Sequence, residues 1–421
     1  AENSKNIKNA IKNNASAVIT FSPFSRIDKR TIIPFLVVEN LKEIYYKIYL
    51  KTIAKYNHRA KTIGITGTNG KTSTVLLLAN ALTNLKKKVG VISSEGIGIY
   101  PKLKENNYTT PTIDIIYKSY DNFLNNQCDY IIFECSSQGL HQGRLKGIFF
   151  DYSLITNIFS DHLDYHKTFK EYINSKLSIL NQSKVAILNY DSPTLKKIDL
   201  SIFKETKIHY VSDNIKGQDI IQNINSFQAK ERTKKFHSSS ILLIKSIMKL
   251  ERFTDVSIKK SLTNLSTVKG RRNIIFTKTK GTYIIDYAHT AQSYKEIYKD
   301  FNTNGSVTTL FGCGGDRDKT KRKITAKIVD KYSSNIFITE DNSRSEKFTT
   351  IVKDILEGIN RNSHYTIQKS RKKALKKLFI QSKRNDINFI LGKGSENYIV
   401  KGKQKIKHND ISYILDMIKK T

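Results

Sequence analysis

At 421 residues, with 38% hydrophobic and 26% charged residues, the chain is long enough for about three domains of ordinary size and too apolar for a disordered polymer. No stretch approaches the roughly 18 consecutive apolar residues that cross a bilayer, and the opening AENSKNIKNAIKNNASAVITF lacks a signal peptide's apolar core, so a soluble, cytoplasmic protein without membrane insertion is expected. The formal charge of +35, from 72 Lys+Arg against 37 Asp+Glu, raises a basic nucleic-acid-binding P-loop ATPase as an alternative, but the lysines are spread through every segment instead of forming a stripe with aromatic platforms, and no nucleic-acid partner is expected.

In chain order, residues 1–60 read as a small separate α/β piece, and because the first residue is not Met we expect the remainder of a longer domain. From about residue 61 short apolar runs alternate with helical patterns: KTIGITG, KKVGVIS, DYIIFECSS, DYSLITNI and KVAILNYD as buried strands, with TSTVLLLANALTNL and KEYINSKLSILNQ as helices between them. This alternation predicts a parallel α/β sheet. A helical stretch, SSSILLIKSIMKLERFTDVSIKKSLTNL, and the turn-like STVKGRR close this unit, so domains are expected at 61–268 and 269–421. The last unit repeats the pattern with NIIFTK, TYIIDYA, VTTLFGCGG, NIFITEDN and INFILGKGSE as strands, giving a second, smaller α/β domain. Cys128, Cys135 and Cys313 are odd in number and lack metal-ligand spacing, which argues against a disulfide framework.

The most informative stretch is GITGTNGKTST, where a strand runs into glycines and then a helix. Such glycines let successive backbone N–H groups and the helix N-terminus face phosphate oxygens, while Lys71 adds a point charge and the Thr72 hydroxyl can bind Mg²⁺. Ile65 occupies the first glycine position of the usual phosphate-loop pattern. The residues that would hold ATP are Gly67, Thr68, Asn69, Gly70, Lys71, Thr72 and Ser73.

This G-T-N-G-K-T variant resembles the loop of the Mur ligases, ATP-dependent amide-forming enzymes of peptidoglycan synthesis, and of the related folylpolyglutamate synthetases. TTPT, ECSSQGLHQGRL, TNIFSDHLDYHKTFKEYINSK, DYAHT, GCGGDRDKTKR, DNSR and GKGSE follow in order across nearly the whole chain and look like the MurE branch. The resemblance implies a three-domain α/β architecture with an N-terminal UDP-binding domain represented here by its end, a central P-loop ATPase domain and a C-terminal Rossmann-like domain. It also implies ATP and Mg²⁺ as cofactors, an acyl-phosphate intermediate, UDP-N-acetylmuramoyl-L-Ala-D-Glu as acceptor, and a monomer.

Carried over residue by residue, the resemblance implies that Glu134 binds the first Mg²⁺ with Thr72. His162 is then a ligand of a second Mg²⁺, with Asp161 and His166 supporting its loop. Lys176, ten residues after His166, would be carbamylated and serve the same ion as an anion. Thr109, Thr110, Ser136, Gln142 and Arg144 match positions contacting the UDP-muramoyl dipeptide, although hydroxyls after strands often cap helices instead. Arg271 and Asp286 would reach the ATP phosphates and their ion, with Asn157 and His289 by the adenine, so that domain closure completes the site.

Arg317, Asp341, Asn342, Arg344, Gly392 and Glu396 match the amino-acid pocket. Arg344 in DNSR has the character expected for pairing with the second carboxylate of meso-diaminopimelate, which L-lysine lacks; a guanidinium left without that carboxylate would be costly. Diaminopimelate is therefore expected as the added amino acid, with L-lysine as the alternative. Ser343, Ala291 and Ser395 stand where the family carries proline, proline and histidine, and the lost prolines predict looser loops. Gln138 and the stretch 236–240 also depart from the family's pattern.

Overall fold

A computed structural model describes residues 2–20, 33–53, 59–106, 108–212, 238–266, 268–301 and 303–420. The N-terminal part contains α1 (Glu2–Lys12), a parallel pair formed by β1 (Val18–Thr20) and β2 (Phe35–Val37), and α2 (Leu41–Ile53). Tyr49 of α2 is buried and stacks on Tyr117 with ring centroids 3.8 Å apart, so this helix is anchored in the core of the following unit.

That unit comprises β3 (Lys61–Thr66), α3 (Lys71–Asn84), β4 (Val89–Ser93), β5 (Gly96–Ile99), α4 (Ile113–Asn125), β6 (Tyr130–Glu134), α5 (Ser137–His141), β7 (Phe150–Ile155), α6 (Leu163–His166), α7 (Phe169–Leu177), β8 (Ser183–Asn189), β9 (Lys207–Val211), α8 (Ser238–Leu250) and α9 (Asp255–Thr263). The strands form one seven-stranded sheet, β5-β4-β6-β3-β7-β8-β9, parallel throughout except for β5 on the edge. Continuous apolar runs suit such a sheet because both faces are covered. In β6, Tyr130 and Ile132 join the layer containing α3 and α8, while Ile131 and Phe133 join the opposite layer with α4.

Two helical stretches are subdivided in the structure. KEYINSKLSILNQ is an α-helix only to Leu177 and then tightens into a 3₁₀ turn, Ser178–Gln182, where the Ser178 hydroxyl donates to the carbonyl of Ser175 at 2.8 Å. The long stretch after residue 238 is two helices, broken where Arg252 takes φ 61° and Thr254 caps α9 by accepting from the Ser257 amide.

The C-terminal unit contains β10 (Asn273–Phe276), β11 (Thr282–Asp286), α10 (Ala291–Lys299), β12 (Val307–Phe311), α11 (Thr320–Tyr332), β13 (Asn335–Thr339), α12 (Phe348–Leu356), β14 (Tyr365–Gln368), α13 (Arg371–Gln381), β15 (Ile387–Leu391), a hairpin of β16 (Tyr398–Lys401) and β17 (Gln404–Lys407), and α14 (Asp410–Lys419). Its six-stranded sheet runs β10-β11-β15-β12-β13-β14, with β10 antiparallel on the edge and the rest parallel. In open parallel sheets, ligands collect beyond the carboxyl ends of the strands. The loops after β3, β4, β6 and β7 in the central unit, and after β11, β12, β13 and β15 in the C-terminal unit, occupy those ends.

Candidate active site

The phosphate loop is built by backbone conformations that side chains resist. Gly67 has φ 145°, and a Cβ there would lie 1.9 Å from the Thr156 hydroxyl; Gly70 has φ 83° at the cap of α3. Asn157 supports the loop: its carbonyl accepts from the Thr68 amide and its side-chain oxygen from the Asn69 amide, both at 2.9 Å. The Lys71 ammonium folds back onto the carbonyls of Gly67 and Thr68 at 2.9 Å each. Burial lowers its pKa, opposed by Glu134 and Asp161.

Glu134, the last residue of β6, meets this loop from the neighbouring strand. One carboxylate oxygen accepts from the Thr72 hydroxyl at 2.8 Å, and the other accepts from the backbone and hydroxyl of Ser94 at 2.9 Å each. A hydroxyl and a carboxylate side by side at the end of a phosphate loop fit a hard cation that takes its remaining ligands from phosphate and water. Among the described residues no cluster of three or more His, Cys, Asp or Glu side chains has metal-binding geometry.

His162 lies in the left-handed region at φ 54°, its amide donating to the Asp161 carboxylate at 2.7 Å. Burial drops its pKa to about 3, which keeps the imidazole neutral and able to ligate a metal through nitrogen. Asp161 is fully buried, and although burial opposes ionisation, the His289 hydrogen bond and the charges of His162, His289 and Lys321 hold its carboxyl below the usual range. His166 is buried against Tyr165 and Tyr172. Lys176, 1% exposed, donates to the Gly67 carbonyl at 2.7 Å and lies 4.6 Å from the centre of the Tyr172 ring. Burial, reinforced by Lys71, pushes its ammonium well below the ordinary lysine range.

A single cleft of about 1340 Å³ joins these groups to the other candidate residues. Its walls include the loop from Thr68 to Ser73, then Thr109, Thr110, Ser136, Gln142 and Arg144 on one side, and Arg271, Asp286, His289, Arg317 and Glu396 on the other. Arg144 donates to the Thr110 carbonyl at 2.6 Å and, through two nitrogens, to the Gln142 side chain at 2.8 and 2.5 Å, which fixes its fork toward the cleft. Ser136 also acts as a helix cap, accepting from the Gly139 amide at 3.0 Å. Asp286 accepts from the amides of Arg272 and Ala288 at 2.6 Å each, a turn-holding role, and burial raises its pKa. Arg271 reaches the Thr72 hydroxyl at 3.3 Å, bringing the two domains together at the end of the phosphate loop.

These features coincide with what comparison with known proteins finds. Residues 65–254 match the Mur ligase middle domain, and residues 270–394 match the Mur ligase glutamate ligase domain. The UDP-N-acetylmuramoyl-L-alanyl-D-glutamate–2,6-diaminopimelate ligase 1 of Clostridium acetobutylicum is 33% identical over 86% of this chain and 79% of its own length. The like-named ligase of Wigglesworthia glossinidia brevipalpis is 32% identical over 98% of this chain and 89% of its own length. The chain belongs to the Mur ligase family. Among solved structures, a diaminopimelate ligase of that name aligns at 24% identity with a TM-score of 0.62, covering 98% of this chain and 88% of the other. MurF ligase from Thermotoga maritima in complex with ADP aligns at 16% identity with a TM-score of 0.63, covering 98% and 90%; both likenesses are of fold.

Within this Mur ligase the remaining pocket residues lie behind the cleft wall. Asp341, Asn342, Arg344 and Gly392 do not line the cleft, whereas Glu396 does, and of these four Asn342 is the one that contacts Glu396 directly. Asn342 donates to Glu396 at 3.0 Å and accepts from Lys393 at 2.9 Å, and Lys393 also pairs closely with Glu396 and with Asp341 at 3.6 Å. Arg344 is half-buried and donates to the carbonyls of Gly315 at 2.8 Å and Asn342 at 3.2 Å; among the described residues no carboxylate forms an ion pair with it, although Asp316 is near enough to feel its charge. At Ser343 the loop has a neighbour that can stand in for the missing proline. The β16–β17 hairpin holds it: the Arg344 amide donates to Val400 at 3.1 Å, and the Gly402 amide donates to the Arg344 carbonyl at 2.7 Å. At Ala291 the helix start is kept by a reciprocal cap between Thr290 and Ser293. Of the departing stretch 236–240, residues 236 and 237 lie outside the described residues, while Ser240 lines the cleft.

Sequence reasoning missed Lys321, which pairs with Asp161 across the domains, Lys393, and Ser94 beneath Glu134. In so lysine-rich a chain nothing local distinguishes Lys321 or Lys393. Asn157 holds the phosphate loop and His289 lies 3.5 Å from Asp161, and both line the cleft.

Proposed function

We propose that this Mur ligase uses ATP to join meso-2,6-diaminopimelate to UDP-N-acetylmuramoyl-L-Ala-D-Glu in peptidoglycan biosynthesis. A carboxylate resists attack by an amine, so the acceptor's carboxylate first takes the γ-phosphoryl group of ATP and ADP leaves. The substrate amine then attacks the acyl carbon, the C–N bond forms and phosphate departs. Most of what the protein supplies is position and charge.

The single cleft shared by the phosphate loop, Arg144 and Glu396 carries this reading, because the two reacting substrates and ATP must meet there. Residues 67–73 would cradle the phosphates, with Lys71 balancing their charge. Thr72 and Glu134 would hold Mg²⁺, which shields the phosphate oxygens when bound. His162 and Lys176, the latter as an N-carbamate, would serve a second Mg²⁺. Thr109, Thr110, Ser136, Gln142 and Arg144 would hold the muramoyl dipeptide, and Arg271, Asp286, Asn157 and His289 the nucleotide. Arg317, Asp341, Asn342, Gly392 and Glu396 would form the amino-acid pocket, with Glu396 receiving an ammonium group and Arg344 the distal carboxylate.

The relatives named as diaminopimelate ligases and the absence of a carboxylate ion-paired with Arg344 among the described residues favour diaminopimelate over L-lysine. Phosphate release measured with ATP, Mg²⁺ and the UDP-muramoyl dipeptide, with either amino acid and with product mass determined, tests the reading. Turnover that depends on diaminopimelate supports it. Preference for lysine overturns the pocket assignment, and ATP turnover driven by nucleic acid instead would favour the alternative class.

A further inference from the structure

The loop that carries Glu396 is tied to the ATP domain on both sides of that residue. Ser395 donates from its hydroxyl to the Glu95 carboxylate at 2.6 Å, and Asn397 donates from its side-chain amide to Glu105 at 3.2 Å. Between these two tethers Glu396 turns the other way, toward Tyr287 at 3.3 Å, Asn342 at 3.0 Å and Lys393 of its own domain. The loop has little room to move: a Cβ on Gly270, in the segment joining the two domains, would lie 2.0 Å from the Ser395 amide nitrogen.

Glu95 is equally well placed at its own end. It follows Ser94, whose amide and hydroxyl both donate to Glu134, and Glu134 accepts from Thr72 at the end of the phosphate loop. A continuous path of hydrogen bonds and one peptide link therefore runs from Thr72 through Glu134, Ser94 and Glu95 to Ser395, the residue before Glu396. Ser395 is also the position where this chain departs from the family's G-K-G-H-E pattern, and the structure gives the replacement hydroxyl a carboxylate acceptor in another domain.

We propose that Ser395 and Glu95 form a positioning contact that couples the amino-acid pocket to the occupied phosphate loop, so that the pocket around Glu396 reaches its binding geometry only while the two domains are joined at this seam. The inference rests on the amino-acid-pocket reading of Glu396 given above. A hydrogen bond to a charged acceptor between two half-buried groups supports an effect of about tenfold on amino-acid binding.

The test compares Ser395→Ala, Glu95→Ala, the double variant and Ser395→Thr in steady-state kinetics with saturating ATP, Mg²⁺ and UDP-muramoyl dipeptide. The expected result is a KM for diaminopimelate raised about tenfold in each single variant, a Kd for ATP measured without diaminopimelate within about twofold of the parent, a double variant no worse than either single one, and recovery in Ser395→Thr, which keeps the hydroxyl. Unchanged KM for diaminopimelate, or single effects that multiply in the double variant, overturns the coupling. Hydrogen exchange on the full chain reads the tether without reference to the amino acid. Glu95→Ala should speed exchange of the amides at 394–397, some 300 residues away in sequence, and unaltered exchange there overturns the contact itself. If the parent protein turns over no diaminopimelate while the exchange result holds, the substrate reading fails and the tether stands.

Discussion

Replacing Arg344 tests the choice of amino acid most directly. Its guanidinium spends donors on two carbonyls, at 2.8 and 3.2 Å, and retains others that meet no carboxylate among the described residues. If the distal carboxylate of diaminopimelate takes those donors as a forked pair, two charge-assisted hydrogen bonds at roughly 1.5 kcal/mol each amount to about 3 kcal/mol, or on the order of 150-fold. Arg344 is half-buried, so solvent screening reduces this to about 10- to 100-fold. Arg344→Ala should therefore lower kcat/KM for diaminopimelate by that factor while leaving kcat/KM for L-lysine nearly unchanged. Arg344→Lys should fall between them, since it keeps the charge and loses the fork. Both variants place a non-glycine residue at the same φ of 51°, so backbone strain cancels in the comparison. The assay is phosphate release coupled to product mass with each amino acid. Equal losses for both amino acids, or undiminished discrimination in Arg344→Ala, would refute the pairing.

Other expectations follow from the phosphate loop and the buried charges. Lys71→Ala should abolish phosphate release while leaving the circular-dichroism spectrum intact, and Glu134→Gln should raise the Mg²⁺ concentration needed for half-maximal turnover by tenfold or more; turnover unchanged in either removes that residue from the site. Lys176 should form a carbamate, its uncharged amine attacking CO₂ with release of one proton. Protein in ¹³C-bicarbonate should give a carbamate carbon resonance that Lys176→Met lacks, and an identical signal in both would reject the modification. Two hydrogen bonds of 2.7 Å from Arg322 hold the Glu346 carboxyl at about 2, down from 4.5. The stability this contributes is present above about pH 4.5 and is lost as pH falls toward 2; Glu346→Gln should flatten the fall in denaturation midpoint across that window.

The sheets were legible because their strands are buried on both faces: Ile63 and Ile65 in one layer, and Ile131 and Phe133 in the other, make β3 and β6 near-continuous apolar runs. Strand β5, the four residues GIGI, went unread because two glycines and an edge position leave no such run. The phosphate loop was legible for a different reason, since its glycines, lysine and threonine are adjacent in sequence and act through the backbone they share. The seam between domains was not legible. Lys321 is one of three lysines in KTKRK, and only folding places it against Asp161, 160 residues earlier. Ser395 looked like a lost histidine until the structure supplied Glu95.

The Gly67 carbonyl receives both the Lys71 and the Lys176 ammonium, at 2.9 and 2.7 Å. Two cations directed at one neutral oxygen in a buried site repel each other, and the lowered pKa of Lys176 has the Lys71 charge among its causes, after burial. Two changes would relieve that repulsion. Polyphosphate in the loop would draw Lys71 forward, away from Gly67, and a carbamate on Lys176 would replace a positive charge with a negative one beside Gly67 and Tyr172. Each change makes the other more favourable, because an anionic Lys176 needs nearby cations and the phosphates bring them. ATP with Mg²⁺ and carbamylation of Lys176 are thus expected to reinforce one another, so the ¹³C carbamate signal should strengthen when ATP and Mg²⁺ are added together. A signal that weakens on their addition would show that phosphate and carbamate compete for the same charge.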